Sequence, residues 1–133
     1  MKNTINILII DDSMMDRLIV KTQFKHVLDT INIEEAGDGE EALSFLENCQ
    51  HDFPDLIMVD INMPILNGFE FLQKYEDIFW KQHPQTLLYI ITSSSADEDI
   101  EKSKRFASLK AFLTKPLKSE KAKSLCNMIL HVN

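Results

Sequence analysis

Short apolar runs alternate with longer stretches of helical periodicity along the chain, and this alternation restricts the possible folds more than any other feature. The runs occupy residues 5–10, 32–36, 56–60, 87–92 and 111–114. The third and fourth contain Leu-Ile-Met-Val and Leu-Leu-Tyr-Ile-Ile, continuous rather than alternating, as in strands covered on both faces. Between the runs, Ser13 with Asp16 and Ser95 with Glu98 have the spacing of capping boxes that open helices. The final stretch places Ala122, Leu125, Cys126 and Ile129 on one helical face. Five strand–helix units in strict alternation predict an α/β fold, a doubly wound five-stranded parallel sheet with helices on both faces and right-handed crossovers. A chain of 133 residues is one domain by size, and the 17 residues after Pro116 suffice for a single helix. The expectation is one domain over residues 1–133 with no output domain.

Charge narrows the function. Acids outnumber bases by 21 to 14, a net −7, which argues against direct nucleic-acid binding. The balance is uneven: residues 1–101 hold 20 acids and six bases, and residues 102–133 hold eight bases and one acid, Glu120. The longest uninterrupted apolar run is five residues, 87–91, so no membrane insertion is expected. Cys49 and Cys126 have neither metal nor redox spacing, which fits a reducing, cytoplasmic setting.

In such sheets ligands bind beyond the carboxyl ends of the strands. The first strand ends in Asp11-Asp12, the third in Asp60, the fourth in Thr92-Ser93, and the fifth in Thr114-Lys115-Pro116. Three carboxylates, a hydroxyl and an ammonium therefore converge on one edge. At about 4 Å and an effective dielectric of about 20, each like-charge pair costs about 4 kcal/mol. A divalent cation relieves that cost, and oxygen ligands without Cys or His favour Mg²⁺. Thr92 and Lys115 then suit a phosphoryl group in transfer, with one carboxylate as nucleophile. Taken singly, each residue has an ordinary role: helix cap, turn hydroxyl or solvated lysine. Their agreement on one edge singles them out.

At these residues the chain resembles a response-regulator receiver domain, stand-alone and chemotaxis-regulator-like, of two-component signalling. The resemblance runs from Ile5 to about Leu130. It rests on Leu8-Ile9-Ile10-Asp11-Asp12-Ser13, Ala36-Gly37-Asp38-Gly39-Glu40-Glu41-Ala42-Leu43, Ile90-Ile91-Thr92-Ser93 and Phe112-Leu113-Thr114-Lys115-Pro116. Its most specific segment is Pro54-Asp55-Leu56-Ile57-Met58-Val59-Asp60-Ile61-Asn62-Met63-Pro64 with Asn67-Gly68. The resemblance implies the flavodoxin-like strand order 2-1-3-4-5 and phosphorylation of Asp60 by a histidine kinase or histidine phosphotransfer protein. It also implies Mg²⁺ held by Asp11, Asp12, Asp60 and the backbone carbonyl of Asn62, phosphoryl binding by Thr92 and Lys115, and a cis Lys115–Pro116 bond. Thr92 and Phe112 would form the switch. Phe112 stands where many relatives carry Tyr and also reads as ordinary core. Asn62 and Ser94 stand where the family tunes dephosphorylation.

Two surfaces are candidates for partners. Val20, Phe24 and Val27 share one side of the first helix, while Met15, Leu18 and Ile19 lie opposite. Met15 and Ile19 are expected either to meet the kinase or to be covered by the last helix. Lys118 and Lys121 belong to a basic face that either meets an unknown downstream target or a second copy, in a phosphorylation-dependent homodimer, or is simply solvated. Beyond self-phosphorylation and self-dephosphorylation no enzyme activity is expected. A Mg²⁺-dependent phosphohydrolase is the competing class, but Asn62 stands where such enzymes carry a second Asp; a flavin-binding protein would need a hydroxyl-rich cradle after the first strand.

Overall fold

The computed structural model describes residues 4–49, 51–93 and 97–131. Its elements follow in the order β1 (Ile5–Ile10), α1 (Met14–Val27), β2 (Ile31–Ala36), α2 (Gly39–Glu47), β3 (Leu56–Val59), α3 (Gly68–Ile78), β4 (Leu87–Thr92), α4 (Asp97–Ser103), β5 (Leu109–Thr114) and α5 (Ser119–His131). All neighbouring strand pairs are parallel, in the order β2-β1-β3-β4-β5. The α/β expectation and its strand order both hold.

The sheet separates two apolar cores. On one side, Ile5, Ile7 and Ile9 of β1 pack with Val20 and Phe24 of α1 and with Ala122, Leu125, Cys126 and Ile129 of α5. On the other, Leu8 and Ile10 pack with Ala42 and Leu46 of α2 and with Phe71, Leu72 and Tyr75 of α3. β3 is buried on both faces throughout, which is why its run is continuous. Complete burial of each Leu, Ile or Phe contributes about 1.5–3 kcal/mol, so these layers fix the sheet's register.

Three boundaries differ from the expected ones. β2 begins at Ile31, β3 stops at Val59, and β5 starts two residues early at Leu109. Asp60 still donates its N–H to Ile10 O at 2.9 Å, so it continues the ladder while its side chain is released into the loop. Leu109 pairs with Leu88 ahead of an irregularity at Leu88/Tyr89, after which Ala111 pairs with Tyr89. Lys110 is the extra residue of that bulge. Ser94 and Ser95 lie outside the described residues. Among the described residues no helix is long and apolar enough to cross a membrane.

Candidate functional site

The parallel sheet points every strand's carboxyl end at one edge, and backbone bonds set the side chains there. Asp11 N–H donates to Ala36 O at 3.0 Å, holding β1 beside β2 up to its last residue. Its carboxylate accepts the Ser13 N–H at Oδ1, 2.9 Å away. Ser13 caps α1 by accepting the Asp16 N–H at 3.2 Å. The reciprocal half of the expected capping box is missing, because Asp11 already holds the Ser13 N–H and the Asp16 carboxylate is used elsewhere.

Asp60 follows β3 and is buried. Its Oδ1 accepts the neighbouring Ile61 N–H at 2.8 Å, which orients the carboxylate and leaves Oδ2 turned toward Lys115. One carboxylate oxygen each from Asp11, Asp12 and Asp60 lie within 4.8 Å of one another. Asp12 is exposed and the other two are buried, so the cluster opens to solvent on one side. Opposite ligands of an octahedral Mg²⁺ lie about 4.2 Å apart, so this all-oxygen set needs little movement to fit that ion.

The cation of the site comes from the other end of the chain. Lys115 Nζ donates to Asp11 Oδ2 at 2.7 Å, to Asp16 Oδ2 at 2.8 Å and to Asp60 Oδ2 at 3.4 Å. The Lys115 N–H bonds Thr92 O at 2.8 Å and the Lys115–Pro116 peptide is cis. Burial alone would lower the Lys115 pKa, but its bonds to Asp11 and Asp16 and the nearby carboxylate charges outweigh that and hold it above its ordinary value. Thr92 is fully buried, and its side chain favours the ionised form of Asp60.

Burial, reinforced by the Asp11 charge, pushes the Asp60 carboxyl above its ordinary value, against the opposing pull of Lys115 and Thr92. A carboxyl whose folded pKa is raised contributes stability below the unfolded value of 3.8 and loses it as pH rises through the folded value. At neutral pH the ionised Asp60 is therefore a net liability to the fold. Asp60→Asn is expected to stabilise the metal-free protein by about 0.5–2 kcal/mol at pH 7. The gain fades as pH falls through the raised folded value, as the native carboxyl takes up a proton. Thermal melts by circular dichroism check this; an equal or lower Tm at neutral pH contradicts it.

The remaining expected residues stand apart from this cluster. Asn62 is exposed in the loop after Asp60 and lines a shallow groove with Met63, Asn67, Phe69, Asp99 and Lys102. Phe112 is partly buried against the α2–α3 core. Met15 and Ile19 remain 64% and 38% exposed, so α5 does not cover them. Lys118 is exposed and Lys121 half-buried. Elsewhere on the basic region Lys104 pairs with Glu101 at 3.0 Å and Lys102 Nζ sits 5.7 Å from the Phe69 ring centroid. Two contributors were not expected from sequence. Asp16 is a third carboxylate on Lys115 and the fourth of the site, and Gly68 lets the start of α3 lie directly against Asp60.

Comparison with known proteins agrees with this arrangement. A family model described as "Response regulator receiver domain" matches residues 7–127. A protein-glutamate methylesterase/protein-glutamine glutaminase 1 of Methanospirillum hungatei JF-1 is 36% identical over 114 residues, covering 84% of this chain and 31% of that protein. The chain spans about a third of the length of the curated relatives it matches. Among solved structures, the chemotaxis response regulator CheY4 of Vibrio cholerae aligns with TM-score 0.76 at 25% identity, covering 96% of this chain and 99% of that one. A two-component response regulator from Legionella pneumophila aligns with TM-score 0.83 at 26% identity, covering 97% of this chain and all of the other, 100%. With the fold, the strand-end cluster and the family match in agreement, the chain belongs to the response regulator receiver domains of two-component signalling.

Proposed function

We propose that the chain is a phosphoacceptor switch in which Asp60 takes a phosphoryl group from the phosphohistidine of a histidine kinase or histidine phosphotransfer protein. The supporting observation is the state of Asp60: buried, oriented by the Ile61 N–H, and flanked by the Lys115 ammonium and the Thr92 hydroxyl. Asp60 Oδ2 bonds to phosphorus as the P–N bond breaks, and the electron pair leaves on the imidazole nitrogen. The product is a mixed carboxylic–phosphoric anhydride. Lys115 and Thr92 stabilise the charge on the phosphoryl oxygens during transfer. Asp11, Asp12, Asp60 and the Asn62 carbonyl would hold Mg²⁺, which when bound neutralises the cluster and polarises the phosphoryl oxygens. Water later hydrolyses the anhydride, with Asn62 tuning the rate, and beyond this cycle at Asp60 the domain turns over no substrate.

Thr92 then bonds a phosphoryl oxygen, and Phe112 follows by packing, since Phe has no hydroxyl to guide it. Met15 and Ile19 meet the phosphodonor beside the pocket, and the basic face around Lys118 and Lys121 meets a downstream protein or a second copy. Relay of the phosphoryl group onward uses the same site. Incubation with acetyl phosphate and Mg²⁺ is expected to add about 80 Da, one phosphoryl group, by intact mass. Asp60→Asn, or omission of Mg²⁺, is expected to abolish the species. No added mass in the wild type contradicts the reading.

A further inference from the structure

Phosphoryl binding needs the Lys115 ammonium over Asp60, yet that ammonium leans elsewhere. Its bonds to Asp11 and Asp16 are 2.7 and 2.8 Å, while Asp60 is 3.4 Å away. Asp16 stands where a capping-box acid would, but the Ser13 N–H such an acid would accept is already held by Asp11. The adjacent cation is also committed: Arg17 donates to Asp11 O at 2.6 Å and to Glu35 Oε1 at 3.0 Å. The Asp16 carboxylate is left to reach Lys115 across 99 positions of sequence.

We propose that Asp16 is a positioning residue that holds the Lys115 ammonium back from Asp60 until a phosphoryl group draws it across. This rests on the reading of Asp60 as phosphoacceptor. The two short bonds differ in how readily they are given up. The Asp11 side chain is 3% exposed, so losing its ammonium leaves a buried charge uncompensated. The Asp16 side chain is 37% exposed, so water replaces the ammonium there at a smaller cost than at Asp11. Lys115 therefore keeps Asp11, releases Asp16 and closes on the phosphoryl oxygen. Asp16 forms no bond to the reacting atoms; it sets how much the closure costs.

The test follows phosphorylation of the full chain by phosphoramidate at saturating Mg²⁺, timed by intact mass. In that reaction Asp60 Oδ2 bonds to phosphorus as the P–N bond breaks, and nitrogen leaves as ammonia with the protons it already carries. Asp16→Asn is expected to speed labelling by about 3- to 10-fold. Asp16→Glu, which restores the charge, is expected to return most of the way to the wild-type rate. Glu40→Gln removes an exposed carboxylate at the same end of the sheet and is expected to leave the rate unchanged. A direct contact resists screening, so the acceleration persists at about 1 M salt. A second measurement uses metal-free thermal melts: Asp16→Asn lowers Tm in the wild-type background and not in Lys115→Met. Several results overturn the proposal: no acceleration, an acceleration shared by Glu40→Gln or erased by salt, or an equal loss of Tm in both backgrounds. If the wild type gains no Asp60-dependent mass, the phosphoacceptor reading falls; if it labels but Asp16→Asn keeps its rate, only the role of Asp16 falls.

Discussion

Gly68→Ala is expected to destabilise the domain by about 3 kcal/mol or more, lowering Tm by about 10 °C. None of the three glycines has a positive φ, so backbone freedom is not what they supply. At Gly68 the issue is space. A Cβ there would lie 2.5 Å from Asp60 O and 2.8 Å from Ile61 Cα, both backbone atoms that no rotamer change can move aside. The Gly68 N–H also bonds Ile61 O at 2.9 Å, which ties the first residue of α3 to the residue after Asp60. Relief requires α3 or the 60–61 peptide to shift, and either shift moves the Asp60 carboxylate. Helix propensity alone predicts the opposite sign, since Ala is favoured over Gly in a helix by about 0.5–1 kcal/mol. Gly37→Ala is the matched control: its Cβ would meet nothing nearer than 3.9 Å, and near-neutral stability is expected. Urea melts of both variants decide the matter; a neutral or stabilising Gly68→Ala contradicts the packing described around Asp60.

The second large effect is expected from Lys115→Met, which keeps most of the unbranched side chain and removes its charge. Lys115 is the cation shared by Asp11, Asp16 and Asp60, and its side chain is 14% exposed. Without it the two buried carboxylates face each other uncompensated. Removing one partner of a buried pair costs about 3–5 kcal/mol, and the opening toward Asp12 and Asp16 reduces that to about 2–4. A fall in Tm of about 8–16 °C in metal-free buffer is expected. The pH dependence follows from two raised pKa values. The lysine's contribution is fully present below its unfolded value of 10.5 and is lost only as pH rises through the higher folded value. The deficit of Lys115→Met is therefore complete at neutral pH and shrinks on acidification, as Asp60, already raised, takes up a proton. Mg²⁺ would compensate the cluster in place of the missing ammonium, so its affinity is expected to rise by about tenfold in the variant, with recovery of Tm. Titration calorimetry measures the first and thermal melts the second. Unchanged stability, or weaker Mg²⁺ binding, contradicts the ammonium's place in the site.

Much of this was legible in the sequence because strand ends are where a parallel sheet places its chemistry. Asp11, Asp60, Thr92 and Lys115 each follow or close an apolar run, and right-handed crossovers bring those ends to one edge. What was hidden depended on contacts between residues far apart in sequence. Asp16 matches a capping box and also serves an ion pair to Lys115, and only the fold reveals which use prevails. β5 loses its signature because the bulge inserts Lys110 into an edge strand, breaking the apolar run one residue after its true start at Leu109. The exposure of Met15 and Ile19 depends on where α5 crosses α1, and the spacing of apolar residues within either helix does not contain that information.

The most direct measurement is the location of the phosphoryl group. The protein is phosphorylated with phosphoramidate and Mg²⁺, reduced with borohydride, digested and mapped by tandem mass spectrometry. Reduction of an aspartyl phosphate converts that residue to homoserine. The account predicts homoserine at position 60 and at no other position, and none in a sample treated without the phosphoryl donor. Homoserine at position 11 or 12, or a phosphoryl group that survives reduction on a serine or histidine, would contradict it.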